Sequence, residues 1–581
     1  NSYGIYIKNG IIKNYGTINI SGTGSVGIRN KDGKDENGNR ITEADLAATT
    51  INASNGANAY VNASSASTQP AIAGSTMVSP SGVVTIGGKV IPLHDLTPGP
   101  NPIVDKNYAF SNVGIYIDTL GRTRPINWVD GFNPSIDNDL IIGAEAAELS
   151  TSKAIKIGKN IMSPYLNQYQ SLTTGSAVTL NAISGALTWT AQQIPGDSGL
   201  PEEVIMAKIP YTDFVTKQEN AWNFADGLEQ RYGVEPVGSR EKELFNKLNS
   251  IGKNEQVLLT QAYDEMMGHQ YANTQQRVYT TGSILNTEFD YLRNEWRTAS
   301  KDSNKIKTFG NKGEYKTDTA GVIDYKYNAY GVAYVHEDED IKLGKGIGWY
   351  TGIVENTFKF KDIGNSKEKQ LQAKVGLLKS VPFDDNNSLN WTISGDIFAG
   401  YNKMHRKFLV VNEIFNARSR YYTYGIGLKN ELAKEFRLSE SFVLRPYGAL
   451  RLEYGKISKI REKSGEIKLE VKNTDYVSIK PELGVQLGFK HFFGRRLFTT
   501  TLGVAYENEL GRIANAKNKG RVADTTADWF NIRGDKEDRK GNVKTDLTFG
   551  LDNTRIGVTA NIGYDTKGEN LRGGLGLRII F

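Results

Sequence analysis

From Gly321 to the C-terminal Phe581 the chain repeats one pattern: apolar and polar residues alternate with period two, in run after run. In the last run Leu571, Gly573, Leu575, Leu577, Ile579 and Phe581 share one face, and Asn570, Arg572, Gly574, Gly576 and Arg578 share the other. The run before it sets Ile556, Val558, Ala560, Ile562 and Tyr564 against Arg555, Gly557, Thr559, Asn561 and Asp565. Further back, Tyr422, Tyr424, Ile426 and Leu428 oppose Thr423, Gly425, Gly427 and Lys429. A period of two belongs to a β-strand, whose side chains alternate between faces. A soluble sandwich alternates as well, so length and aromatic placement must decide. Many runs hold the pattern for about nine to eleven residues, the reach a tilted strand needs to cross hydrocarbon. Aromatic residues crowd the run ends (Trp349, Tyr350, Trp391, Tyr401, Tyr421, Tyr447, Tyr454, Phe492, Phe493, Tyr506, Tyr564), as at membrane interfaces. Charges and glycines fill the second face, which suits a wet lumen and would be costly in a dry core.

About twelve such runs are legible, near 322–336, 346–361, 368–381, 388–402, 419–433, 441–457, 475–493, 496–510, 526–533, 543–552, 554–565 and 569–581. An even number keeps both barrel ends on the periplasmic side of a bacterial outer membrane. The expected fold is therefore all-β: a 12-stranded antiparallel transmembrane β-barrel over 311–581. No stretch of about 18 apolar residues occurs, so no spanning helix is expected. Composition agrees, since only every second barrel residue faces lipid and the average stays polar.

Upstream, residues 1–205 are rich in Gly, Asn, Ser, Thr, Ile and Val, with short β-like runs. Gly4-Ile5-Tyr6-Ile7 recurs as Gly114-Ile115-Tyr116-Ile117, which suggests coils of a right-handed β-solenoid, each burying an Ile/Val stack. Residues 206–310 read as a helical linker. Ser239 with Lys242, Glu243, Leu244, Phe245 and Leu248 predicts a capped amphipathic helix. A second helix is expected through Val257, Leu258, Gln261, Ala262, Glu265 and Met266, and a third from Ile284 to Trp296. The segment from Ile284 to Ser300 carries Glu288, Asp290, Arg293, Glu295 and Arg297 beside few apolar residues. It is poorly suited to lipid and well suited to a lumen lined by Lys429, Arg445, Arg451, Glu482, Glu507 and Arg572.

The residues Leu444-Arg445-Pro446-Tyr447-Gly448, Gly563-Tyr564-Asp565 and Gly574-Leu575-Gly576-Leu577-Arg578-Ile579-Ile580-Phe581 resemble the recurrent barrel signatures of type Va autotransporters. The Gly-Ile-Tyr-Ile stem resembles that of the large fusobacterial adhesins. The resemblance implies an outer-membrane translocator and anchor of a surface adhesin, with the helix ahead of the barrel left in the pore. It also implies that the outer-membrane barrel assembly machinery recognises the last strands, so that Tyr564, Leu575, Leu577, Ile579 and Phe581 form the membrane-assembly signal. The chain is then expected to be the C-terminal portion of a longer protein, because Asn1 opens inside a β repeat with no signal peptide. Its expected partners are outer-membrane lipid, the assembly machinery, and a host-cell or bacterial surface ligand bound by the upstream passenger. It is expected to act as a monomer. An outer-membrane porin with a helical plug is the alternative.

Other motifs read as structure. The chain has 0 cysteines, which excludes disulfides, thiolate metal sites and cysteine nucleophiles. A formal charge of +6 gives no case for nucleic acid. Gly22-Thr23-Gly24-Ser25-Val26-Gly27 matches a dinucleotide fingerprint but runs into turn residues, not a helix. Gly196-Asp197-Ser198-Gly199 looks like a serine-protease nucleophile segment, yet Pro195 and Pro201 bracket it as a turn and only His94 precedes it. Asn286 and Asn294 lie where some autotransporters cut themselves, without the paired-Asn motif. The acidic runs at Asp32–Glu36 and Glu337–Asp340 lack calcium-loop spacing. No catalytic residue, metal site or cofactor is expected, and the chain is not expected to be an enzyme.

Overall fold

The structure is a computed structural model of the 581-residue chain. It describes short β segments between Tyr3 and Tyr108, then residues 114–122, 127–128, 137–172, 179–196, 200–217, 220–294, 304–514, 517–553 and 555–579. The chain divides into two compact units.

The first unit comprises residues 1–266 with 409–415 and 524–530. Its N-terminal strands pair in parallel: Tyr3–Ile7 with Val26–Asn30, which pairs in turn with Asn58–Asn62. The second Gly-Ile-Tyr-Ile copy, Gly114–Ile117, pairs in parallel with Asp137–Ile142, which pairs with Thr179–Ser184. Ile117, Leu140, Ile142 and Ala182 are buried along that ladder. A mixed sheet follows, with Pro201–Lys208 antiparallel to both Ala154–Ile157 and Trp189–Pro195.

Helices α1 (Lys159–Leu172), α2 (Asn220–Arg231), α3 (Arg240–Asn249) and α4 (Gln256–Met266) complete this unit. The expected cap of α3 is present: Ser239 Oγ accepts a hydrogen bond from the Lys242 amide at 3.1 Å. Leu244, Phe245 and Leu248 turn inward as their spacing requires. In α4 the buried stripe is Leu259, Ala262, Tyr263 and Met266, whereas Val257 is 79% exposed. The sequence had set Val257 and Leu258 on that stripe. Packing against Tyr211 and Phe224, whose rings lie 6.4 and 6.0 Å from that of Tyr263, selects the other face.

The second unit comprises residues 267–408, 416–523 and 531–581. It is a closed 12-stranded antiparallel barrel. Its strands are β1 (Asn304–Tyr315), β2 (Tyr325–His336), β3 (Gly348–Phe360), β4 (Lys367–Pro382), β5 (Leu389–Val410) and β6 (Glu413–Lys434). They continue with β7 (Phe442–Ile457), β8 (Thr474–Phe493), β9 (Arg496–Glu507), β10 (Asn542–Asp552), β11 (Ile556–Asp565) and β12 (Asn570–Ile579). Closure comes from β1 against β12, in register from Asn304↔Ile579 to Lys312↔Leu571. Every strand thus has two neighbours, which removes the unpaired edges that hydrocarbon cannot satisfy.

The alternation falls as expected. Leu571, Leu575, Val558, Ile562, Tyr422 and Ile426 face outward, while Arg572, Arg578 and Lys429 are buried inside. Two strand placements differ. The run 526–533 is not a crossing strand; only Phe530–Arg533 is extended there, within the long β9–β10 connection. The first strand is instead β1, which begins ahead of residue 311. Its outward face offers Ile306, Thr308, Gly310 and Lys312, too little apolar surface to read as a lipid-facing strand.

Three of the expected interfacial aromatics also turn inward. Tyr350 donates to Asp396 at 3.0 Å, Tyr447 donates to Glu482 at 2.6 Å, and Tyr421 hydrogen-bonds Glu368. Crowding at a run end does not settle parity, and each of these sits on the lumenal register of its strand. A glycine stands directly opposite two of these rings, Gly376 across from Tyr350 and Gly484 across from Tyr447. A Cβ at either would lie 2.2 and 2.5 Å from the ring. Among the described residues, no helix is long and apolar enough to cross a membrane.

Candidate functional site: the plugged lumen

The lumen is occupied by α5 (Thr274–Asn294), a 21-residue helix. At 1.5 Å per residue it is about 31 Å long, matching the thickness of a hydrocarbon layer. It starts ten residues before the expected Ile284, because its first half (Thr274 to Ser283) is polar and shows no apolar stripe. A lumen lined by charges makes that polarity the right match, with hydrogen bonds in place of an apolar core.

The helix leans on the wall formed by β1 to β4. Leu285, Phe289 and Leu292 are buried there, and Phe289 packs on Tyr350 at 4.7 Å between ring centroids. Gly352 on β3 makes the approach possible, since a Cβ there would stand 2.8 Å from the Leu285 side chain and 3.0 Å from Phe289.

The charged residues then find partners all round the barrel. Glu288 is fully buried and pairs with Lys307 on β1 at 2.6 Å, and that ammonium lies 4.4 Å over the Tyr291 ring. Asp290 pairs with Lys429 on β6 at 2.8 Å and stands 3.8 Å from Arg293. Arg277 pairs with the buried Glu368 on β4. The Tyr291 hydroxyl meets Asp546 and accepts from Arg572 at 3.0 Å, and Arg572 pairs with both Asp546 (2.6 Å) and Asp565. Mid-helix, Asn286 accepts from Lys374 at 3.0 Å and donates to Glu453 at 3.3 Å. Arg451 ties Asp396 (2.8 Å) and Glu453 (3.2 Å) into the same cluster.

Of the residues expected on the pore helix, Glu288, Asp290 and Arg293 are brought together in the lumen. Glu295 and Arg297 lie outside the described residues, as does Trp296. Of the expected lumenal charges, Lys429, Arg451 and Arg572 meet the helix or its cluster directly. Glu482 and Glu507 share Lys544 at 2.8 and 3.1 Å, and Arg445 pairs with Glu431 at 2.6 Å. Sequence reading missed Arg277, Asn286 as a contact, Tyr291 and Lys307. A signal existed for Lys307, in the Lys305/Lys307 alternation, but β1 went unread.

On the assembly-signal side, Tyr564, Leu575 and Leu577 face outward, and Ile579 pairs with Asn304 and with Ile556 across the closing seam. Phe581 and Ile580 lie outside the described residues. So do Gly22–Ser25 and Asp197–Gly199 of the two short motifs. Asp338 of the acidic run accepts from the Ile341 amide at 2.8 Å, capping the short helix Glu339–Lys342. Among the described residues no group of three or more His, Cys, Asp or Glu could hold a metal ion.

Residues 305–563 match the family model described as the autotransporter beta-domain. Solved structures similar to this chain include the translocator domain of the autotransporter NalP from Neisseria meningitidis, at 14% identity and a TM-score of 0.40, covering 54% of this chain and 99% of that one. Another is the transport unit of the autotransporter AIDA-I from Escherichia coli, at 12% identity and a TM-score of 0.34, covering 55% and 99%. No curated protein matches the chain. The family match spans the closed barrel from β1 into β11, and the strands within it carry apolar outer faces round a polar, helix-filled lumen. This part of the chain is an autotransporter β-domain, the outer-membrane translocator in the C-terminal portion of a type V autotransporter.

Proposed function

We propose that this translocator anchors and displays an adhesive passenger on a β-solenoid stem, and that α5 is the trailing segment of the exported chain, retained as a plug. The observation that carries the reading is the pairing of α5 with the wall: Glu288 with Lys307, Asp290 with Lys429, and Asn286 between Lys374 and Glu453. A chain that has threaded the pore and stopped needs such a match, because its polar backbone and side chains must be satisfied inside the barrel. The in-register parallel sets Ile5, Ile28, Tyr60 and Ile115, Leu140, Ala182 support the solenoid stem. In this reading the protein is a monomer without enzymatic activity. Assembly machinery inserts it by its last strands, and an upstream passenger similar to the fusobacterial adhesins binds the host-cell or bacterial ligand.

The test uses intact cells expressing the chain behind a secretion signal, with an epitope tag ahead of Asn1. External protease should remove the tag while a heat-modifiable barrel stays in the membrane fraction. A tag that remains protected in sealed cells would place the N-terminal part in the periplasm and overturn the display reading.

A further inference from the structure

The turns β2–β3, β4–β5, β6–β7, β8–β9 and β10–β11 share the end of the barrel that holds Asn304 and Ile579. This is the periplasmic end, since the longest connections, 458–473 and 508–541, lie at the opposite, outer end. Its rim is divided by charge. The β2–β3 and β4–β5 turns carry Asp338, Asp340, Asp384 and Asp385, and the β6–β7 turn sets Arg437 between Glu435 and Glu440, whereas the β8–β9 and β10–β11 turns and the first residue of β9 carry Arg495, Arg555 and Arg496 with no acid among them. All four guanidinium groups are exposed, and among the described residues none has a carboxylate partner. The lumenal arginines behave otherwise: Arg277, Arg406, Arg451, Arg572 and Arg578 are each paired with an acid.

Beside the basic turns a continuous aromatic run faces outward. Phe442 packs on Phe489 at 5.0 Å, Phe489 stacks with His491 at 6.5 Å, and His491 meets the edge of Phe493 at 4.5 Å. Arg496 stands directly across from Phe493 in the β8–β9 register. Aromatic rings at this level mark the boundary between acyl chains and headgroups. A guanidinium just beyond them presents paired N–H donors that fit a phosphodiester. With no acid of the chain to neutralise it, the counter-charge must come from outside.

We propose that the β6–β11 sector of the periplasmic rim is a binding surface for an anionic diacyl phospholipid of the inner-facing leaflet. The phosphodiester is held by Arg495, Arg496 and Arg555, and the acyl chains lie along Phe442, Phe489 and Phe493. The acidic turns on the opposite side repel the same headgroup, so the lipid is held on one side of the barrel.

The experiment is native mass spectrometry of the full chain, delipidated in detergent and then offered phosphatidylglycerol and phosphatidylcholine in equal amounts. The wild type should retain phosphatidylglycerol in preference. That preference should fall roughly fivefold for each guanidinium removed along the series Arg496→Gln, Arg495→Gln/Arg496→Gln, and the triple variant with Arg555→Gln. The control Asp340→Asn/Asp385→Asn should keep it, and free glycerol phosphate should not compete, because the chains contribute. Heat-modifiability of each variant checks that the barrel is intact. Should the triple variant fail to assemble, the Arg496→Gln variant and the loss of wild-type preference at high salt decide the matter. Equal retention of the two lipids by the wild type, or unchanged preference in Arg495→Gln/Arg496→Gln, would overturn the proposal. So would a triple variant that assembles slowly while the wild type ignores phosphatidylglycerol, since that result assigns the arginines to an acidic protein partner.

Discussion

Lys208 shows what burial does to a charge when partners are shared. Its side chain is fully buried under the Tyr211 ring, 3.6 Å from the centroid, and it pairs with Glu229, which also holds Lys153 at 2.5 Å. Two ammonium groups thus share one carboxylate. Burial lowers the Lys208 amine to about 8, while the two cations hold the Glu229 carboxyl below its usual range. A base whose folded value lies below its unfolded one is charged in both states under pH 8, where the cost of burying that charge is fully present. As pH rises from about 8 toward the unfolded value near 10.5, the folded chain releases its proton first and that cost is relieved. The Lys208 contribution to stability of this unit should therefore rise with pH between 8 and 10. Urea unfolding of the full chain in detergent, followed by tryptophan fluorescence, should show that slope in the wild type and a flatter one in Lys208→Met. Identical slopes would count against it. Glu288 and Lys307 give a second residue-scale expectation. Neither is exposed, so Glu288→Gln leaves a buried ammonium without its counter-charge, which costs about 3–5 kcal/mol, more than an exposed pair could contribute. The double variant with Lys307→Met should recover much of that loss, as a coupling measured in a double-mutant cycle.

At the level of elements, legibility followed the contrast between two environments. β12 and β11 were readable because lipid demands apolar residues on one face and the lumen tolerates charge on the other, so Leu575 and Arg572 announce their sides. β1 was not, because Lys312, Gly310 and Thr308 thin the lipid-facing signal. The first half of α5 was hidden for the opposite reason: its neighbours are polar, so Gln275, Thr281 and Arg277 meet Asn518, Gln370 and Glu368 and leave no hydrophobic period to detect. Charge on the second half did point to a lumen, but no sequence pattern could pair Asp290 with Lys429, since that contact depends on strand register and closure. If these polar contacts seat the helix, removing several at once should unseat it. Arg277→Gln/Glu288→Gln/Asp290→Asn should raise single-channel conductance in planar bilayers above the wild-type value while the barrel remains heat-modifiable. Gly352→Val, which drives a side chain into Leu285 and Phe289, should act in the same direction. Unchanged conductance in both variants would mean that α5 is not what blocks the lumen.

For the whole molecule, the decisive event is closure. β1 and β12 are the two strands that each pair with a partner from the opposite end of the barrel sequence: Leu575 on β12 pairs with Ala560 on β11 and with Thr308 on β1, some 270 residues away in the chain. Until that seam forms, β1 and β12 are unpaired edges, and hydrocarbon offers no hydrogen bonds to replace the missing partner. Two roles for the C-terminus can then be separated, one geometric and one of recognition. Deleting 570–581 removes the seam, so no heat-modifiable species should form and the chain should be degraded in the periplasm. Deleting Phe581 alone leaves the described register from Asn570 to Ile579 whole. If the terminal aromatic serves recognition by the assembly machinery, this variant should yield fewer inserted barrels, each as heat-modifiable as wild type and each unfolding at the same temperature. Quantitative immunoblotting of the membrane fraction, with and without heating, reads both quantities on one gel. Normal yield after Phe581 deletion would remove the residue from the assembly signal and leave Tyr564, Leu575 and Leu577 on the outer wall to carry it. A normal yield with a lowered unfolding temperature would instead make Phe581 part of the barrel's own packing.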